Sequence, residues 1–397
     1  MGIIRGLIGL AFIGGVGLLL SSNRKEIRYK NIALMIIIQL VLTFLLLNTS
    51  VGLTALGGVS EFFSWLIGQG TAGVDFVFGG IEIAEGATVF FLHVLMPLVF
   101  ISALIGILDY LGILNFIIKW VGWIINKITG MGELESYMPV ATTLLGSPQV
   151  FITIKDTMPN LNANQLFTVC MTVISSASAS MLASYMTMLE GQYVVMATFL
   201  NFFSGLIIAG LLNPYTSDVA SIEKLEIEEE VKERQPFFEM LGEYISSGFD
   251  LAVIVAAMVI GFISLITFLN NSMDLITGIT FTQVLGYILA PVAWLIGIPK
   301  EDIVRIGSVM ASKLLTNEFV AMGEIVNLKD TLSEKSIAMI SVYTISFANF
   351  GTLGIISGAV KAISGEKAKD VAKFSLKLIL GGTMAGLLTA TIVGFFF

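Results

Sequence analysis

The chain has 397 residues, 56% of them hydrophobic and only 13% charged, with 29 acidic against 21 basic side chains and a net charge of −8. Soluble domains carry about a quarter of their residues as charges, so a mean hydropathy of +0.91 indicates a polytopic membrane chain rather than a cytosolic enzyme. One cysteine, Cys170, and one histidine, His93, exclude a disulfide scaffold, a zinc–thiolate site and histidine-based catalysis, and the acidic balance offers no face for nucleic acid.

Crossing the hydrocarbon core takes about 20 apolar residues. In chain order the candidates are Ile3–Leu20, Ile32–Leu47, Val89–Ile113, Leu166–Leu189, Val194–Leu212, Leu251–Leu269, Ile337–Val360 and Phe374–Phe396. The first lacks a small-residue cleavage pattern and runs into SSNRKEIRYK, so it reads as a retained span. Arg24, Lys25, Arg28 and Lys30 place the following loop in the cytoplasm, whereas Thr49–Thr88 has no Lys or Arg and faces outside. Lys119 and Lys127, and later Lys361, Lys367, Lys369, Lys373 and Lys377, mark further cytoplasmic segments. Twelve charges between Asp218 and Glu243 form a solvated linker between two membrane halves.

Two stretches do not fit as simple spans. Glu133–Asp156 is interrupted by Gly146-Ser147-Pro148, and Asp302–Asn327 by Thr316-Asn317-Glu318. Each arm is about 12 residues, or roughly 18 Å as helix, too short to cross alone. Broken backbone at membrane depth survives only where protein or a polar cavity surrounds it, so both read as re-entrant hairpins. They also resemble each other: Ala141-Thr142-Thr143-Leu144-Leu145 recurs as Ala311-Ser312-Lys313-Leu314-Leu315, and Lys155-Asp156-Thr157 as Lys329-Asp330-Thr331. Ile174-Ser175-Ser176-Ala177 recurs as Ile345-Ser346-Phe347-Ala348. The loop charges place the copies upside down to each other, the plan of secondary transporters.

The expected fold is therefore an all-α polytopic membrane protein: eight transmembrane helices plus two re-entrant helical hairpins in an inverted repeat. Residues 1–130 hold spans 1–3 and interfacial helices, and 131–213 the first hairpin with spans 4 and 5. Residues 214–250 are a charged cytoplasmic linker, 251–300 span 6 with an interfacial helix, and 301–397 the second hairpin with spans 7 and 8.

Ionisable groups inside a bilayer are usually functional. Glu318 sits at the break of an otherwise apolar hairpin, and Asn349 lies mid-span between Phe347 and Phe350. Carboxylate, amide and aromatic together suit a ring bearing hydroxyls. Lys313 reads as a structural partner for a carboxylate or for hairpin carbonyls. The SSASAS run, Ser175–Ser180, either packs helices closely or unwinds to offer oxygens to a cation.

SKLLTNEFVAM, ISFANFGTLGI, LGYILAPVAWLIGIP and VLMPLVFISALIGILDYLGIL together resemble the concentrative nucleoside transporter family, over most of the chain from about Val89 onward. The resemblance implies a multi-pass protein of the cytoplasmic membrane, a homotrimer, and cation-coupled nucleoside symport by an elevator-type motion. It implies that Glu318 and Asn349 bond the ribose, that Thr352 adds a hydroxyl and that Phe347 packs on the nucleoside. The family's first-hairpin tip, Gly-Gln-Ser/Thr-Glu, reads the base; here it is Gly146-Ser147-Pro148-Gln149. Ser147, Gln149 and the large, adaptable Met181 then imply an altered base preference. The family's sodium site maps to Thr142, Leu145, Ser176 and Ala177. Thr142 replaces an amide there, so the coupling ion is Na⁺ or H⁺, and no other cofactor is implied. A sensor or gate that binds a nucleoside or other polar metabolite without moving it is the competing reading. An enzyme is not expected, because no second carboxylate, histidine or metal cluster accompanies Glu318.

Overall fold

A computed structural model describes residues 2–81, 88–215 and 235–397. Among these residues the chain is helical, without strands. The acidic centre of the linker lies outside the described residues, as do Glu82 and Glu85. The part of the linker from residue 237 onward is already helical.

The first third comprises α1 (Gly2–Leu20), α2 (Tyr29–Asn48), α3 (Ser50–Phe78), α4 (Leu98–Tyr110, entered through a π turn at Phe91–Leu95) and α5 (Ile113–Thr129). A broken pair follows, α6 (Glu133–Leu145) and α7 (Ser147–Ile152). Next come α8 (Ala163–Ser175) with α9 (Ala179–Tyr185), and α10 (Gly191–Leu212). After the linker, α11 (Phe237–Thr277) and α12 (Phe281–Ile296) precede a second broken pair, α13 (Ile303–Leu315) and α14 (Glu318–Leu328). The chain ends with α15 (Glu334–Thr344), α16 (Phe350–Ile363) and α17 (Gly365–Val393).

The order of a broken pair, an interrupted helix and one continuous helix thus occurs twice, as α6–α10 and α13–α17. The two series interlock: α17 packs on α8 and α10, and α10 packs on α15. α10 is apolar on all sides and almost wholly buried, as expected of a helix at the centre of a bundle. Outside this core, α11 runs along α4, α12 along α13, and α5 along α6. The outer helices α2, α3 and α11 leave most of their apolar surface exposed, the reverse of a soluble fold.

Among the described residues, seven helical segments are long and apolar enough to cross a membrane: α2, α3, the π turn with α4, α8–α9, α10, α11 and α17. α3 differs from expectation, because Thr49–Thr88 carries no span among those read from sequence. Its Thr49 cap accepts from Gly52 N at 3.0 Å, and the helix packs on α2, α4 and α10. The expected spans Leu166–Leu189 and Ile337–Val360 are present as interrupted helices, broken at residues 176–178 and 345–349. The SSASAS run therefore unwinds rather than continuing as a packing helix.

Candidate functional site

Four breaks meet at one place. The tips of both broken pairs and the interruptions of α8/α9 and α15/α16 all contribute to the walls of a single cavity of about 500 Å³. At the first tip Gly146 has φ +95°, a conformation that favours glycine. A Cβ there would lie 3.2 Å from Gln149 Oε1 and 3.5 Å from Ser178 Cβ, so the tip of one pair is held against the break of the neighbouring helix. Each second half-helix begins at the cavity. Ser178 caps α9, Asn317 caps α14 by accepting from Val320 N at 3.1 Å, and Asn349 caps α16 by accepting from Thr352 N at 2.9 Å. Exposed N–H groups and the positive ends of helix dipoles thus face the same space.

Glu318, the first residue of α14, is placed there and is only 4% exposed. Its Oε1 accepts from Tyr185 OH at 2.8 Å and its Oε2 from Asn349 Nδ2 at 3.1 Å. Asn349 is oriented by its own cap, because Oδ1 also accepts from Thr352 Oγ1 at 3.1 Å and so turns Nδ2 toward the carboxylate. Tyr185 is fully buried, with Phe319 packed edge-on to its ring at 5.2 Å. The result is a carboxylate fixed by two donors from two other elements, α9 and the break before α16, with a cavity in front of it.

Lys313 is not an ion-pair partner for that carboxylate. Its Nζ donates to Tyr343 O and Ser346 Oγ, both at 2.6 Å, and lies 4.3 Å from the centre of the Tyr343 ring. These partners belong to the end of α15 and its break, not to the carbonyls of the broken pair itself. The lysine thus ties α13 to a helix C-terminus, where the backbone carries spare acceptors. The Ile345 carbonyl freed at the same break accepts from Asn201 Nδ2. A buried chain supports that amide: Thr389 donates to Asn201 Oδ1 at 2.7 Å, Ser204 lies 2.8 Å from Thr389, and Gln39 donates to Ser204 at 2.6 Å. The interrupted backbone is therefore satisfied by protein.

All seven residues assigned to substrate by sequence line the cavity: Ser147, Gln149, Met181, Glu318, Phe347, Asn349 and Thr352. Buried Ser147 Oγ has no hydrogen-bond partner among the described residues. Of the four expected cation ligands, Leu145 lines the cavity, while Thr142, Ser176 and Ala177 lie buried behind it. Thr142 and Ser176 donate to Met138 O at 2.7 Å and Thr172 O at 2.8 Å, which leaves each oxygen able to accept. Beside them Thr143 Oγ1 is buried without a partner among the described residues. Neutral oxygens at the C-terminal ends of α6 and α8 fit a hard monovalent cation.

Sequence reading missed Tyr185 and the opposite wall, formed by Ser102 on α4 and Tyr244, Ser247 and Asp250 on α11. The recurrence of wall residues three or four apart along α11 was the available signal for the second; nothing local marks Tyr185.

Interrupted helices converging on one largely apolar cavity with a few convergent polar groups fit a membrane transporter, and the comparisons with known proteins agree. The family described as Na⁺ dependent nucleoside transporter matches by its N-terminal model over residues 8–81 and its C-terminal model over residues 193–394, with a nucleoside recognition (gate) model over residues 91–192 between them. The purine nucleoside transport protein NupG of Bacillus subtilis is 34% identical over 98% of both chains. The nucleoside permease NupC of Helicobacter pylori is 27% identical over 98% of this chain and 97% of its own. CNTnw in an inward-facing substrate-bound state superposes with a TM-score of 0.91 at 29% identity, over 100% of this chain and 98% of its own. A doubly substituted CNTnw in an outward-facing state gives 0.93 at 29% identity, with the same coverage. The chain belongs to the Na⁺ dependent nucleoside transporter family, whose members compared here are transporters and permeases, not enzymes.

Proposed function

We propose that the protein is a cation-coupled symporter that imports nucleosides, purine nucleosides foremost, across the cell membrane. The observation that carries this reading is the Glu318 carboxylate, held by Tyr185 and Asn349 at the edge of the cavity. A carboxylate and an amide side by side suit the vicinal hydroxyls of ribose, since the carboxylate accepts from both O–H groups and the amide adds a donor. Thr352 supplies a further hydroxyl and Phe347 an apolar face for the nucleoside. Ser147 and Gln149 meet the base, and Met181 shapes its pocket. Gln149 both donates and accepts, which suits a purine edge, and the 34% identical relative is named for purine nucleosides.

In this reading α6–α7 and α13–α14 are re-entrant hairpins, and the two series are inverted copies within an eight-span subunit of a homotrimer. The hairpins with α8–α10 and α15–α17 move as one unit past a scaffold that includes α4 and α11, in an elevator-type exchange of access. Thr142, Leu145, Ser176 and Ala177 would hold Na⁺, and the bound ion would supply positive charge where two helix C-termini present carbonyls. Coupling to H⁺ is the alternative to Na⁺.

Reconstituted vesicles test the reading with labelled inosine, adenosine and uridine under separate Na⁺ and H⁺ gradients. Gradient-driven accumulation, with purines outcompeting uridine, is the expected result. Binding without accumulation would instead identify a sensor, and a uridine preference would refute the base assignment.

A further inference from the structure

The cavity has a second polar end, on the wall opposite the broken helices. α11 faces it with Tyr244, Ser247, Leu251, Ile254 and Met258, one stripe at helical spacing that also includes Asp250. The stripe changes character along its length: hydroxyls and a carboxylate come first, and aliphatic side chains follow. Met258 marks the end near Glu318, because a Cβ on Gly351, two residues beyond Asn349, would lie 3.5 Å from its Cε. Asp250 is eight residues back along the same helix, about 12 Å at 1.5 Å per residue. The Asp250 end of the wall is thus distinct from the Met258 end that lies beside the Asn349 break.

This second end is built rather than incidental. α4 and α11 approach closely, with Gly106 under the Tyr244 ring (a Cβ there would lie 2.5 Å from Tyr244 Cγ) and Gly248 against Ser102 (2.8 Å to Cβ). Tyr244 OH donates to Asp109 Oδ2 at 3.0 Å, which fixes the ring from its far end. Asp250, by contrast, has no hydrogen-bond or ion-pair partner among the described residues and is solvent-accessible at the cavity wall. Among the described residues it caps no helix and balances no cation.

We propose that Asp250, with Ser247 and Ser102, is a second station for the nucleoside sugar, on the scaffold side of the cavity. The ribose hydroxyls released by Glu318 and Asn349 pass the aliphatic band and are accepted by Asp250 before the solute leaves for the cytoplasm. The inference rests on the nucleoside-transport reading and assigns the exit step to named residues. Tyr244 offers its ring as the apolar surface of this station.

The test measures uptake and efflux of labelled inosine in reconstituted vesicles for the unsubstituted protein, Asp250→Asn, Asp250→Glu and Ser247→Ala. A hydrogen-bonding carboxylate lost from a partly wet site predicts about a tenfold rise in the half-saturation concentration from the cytoplasmic face for Asp250→Asn. From the outer face the change stays within about twofold, because the outward-facing site is completed by Glu318. Ser247→Ala gives a smaller rise of the same sign, and Asp250→Glu restores most of the affinity. For 2′,3′-dideoxyinosine the Asp250→Asn effect disappears, which a general packing defect would not reproduce. Equal changes at both faces, or none, in a protein that accumulates inosine overturn the second station alone. No nucleoside uptake by the unsubstituted protein overturns the transport reading and this proposal together.

Discussion

The two broken helix pairs face the same cavity but arrive there in different states of completion. At the tip of α13–α14 the functional group is already held in place: each Glu318 oxygen accepts one hydrogen bond, from Tyr185 or Asn349, and keeps a further acceptor site, while Asn317 closes the helix end. At the tip of α6–α7, Ser147 Oγ is buried with no partner, and Gly146 holds a backbone angle that suits few other residues. A preorganised group grips what is common to all ligands, and an unsatisfied one gains a partner only when the right ligand arrives. In the proposed function that contrast pairs a rigid sugar grip with an unfinished base reader.

The sharpest way to break the comparison is at the rigid tip. Glu318→Gln replaces an acceptor-only carboxylate by a group that donates from one side, so one of its two present donors and the incoming hydroxyls face the wrong partner. Charge-assisted hydrogen bonds contribute about 1.5–3 kcal/mol each, so losing two predicts uptake reduced by at least about 100-fold. Vesicle uptake measures the loss, and surface labelling shows the variant still inserted. Uptake within a few-fold of normal would remove Glu318 from the site.

The next variant separates the grip from its support. Tyr185→Phe keeps the ring packed against Phe319 and deletes only the hydroxyl that donates to Glu318. The carboxylate stays in place with one donor fewer. Expected is a rise of about tenfold in the half-saturation concentration, from the loss of one hydrogen bond to a charged group. The rise is equal for inosine and uridine, because the sugar is the shared part. A base-dependent effect would move Tyr185 from the sugar grip to the base pocket.

These residues also mark how far the sequence alone could be followed. Two of the four breaks were legible because each carries its own chemistry, Gly-Ser-Pro at 146–148 and Thr-Asn-Glu at 316–318; the serine run at 175–180 fitted packing as well as unwinding, and the break at 345–349 was hidden inside an apolar stretch in which Asn349 stood out only as a polar residue. Glu318 was legible because a carboxylate between apolar arms has few structural uses. Tyr185 was not, since it meets Glu318 across 133 residues and looks locally like any aromatic in a buried helix. α3 was obscured for a different reason. Its glycines, at 52, 57, 58, 68, 70 and 73, lower both apparent hydropathy and helix propensity, and packing on α2, α4 and α10 offsets that weakness. Lys313 was correctly given a structural role, but its acceptors lie on α15, a partner that spacing along one hairpin does not reveal.

The smallest expected effect belongs to the unfinished tip and is the most discriminating. Ser147→Ala removes a hydroxyl that has no hydrogen-bond partner among the described residues, so folding and insertion lose nothing and the variant is as stable as its parent. Its cost falls only on a ligand that bonds Ser147, about 1 kcal/mol or roughly fivefold in half-saturation concentration. If Ser147 reads the base, inosine, adenosine and uridine respond unequally, and at least one of them not at all. Competition of each nucleoside against labelled inosine resolves differences of that size. Equal weakening of all three would place Ser147 on the sugar, making both tips parts of one grip, and base selection would then rest on Gln149 and Met181 alone.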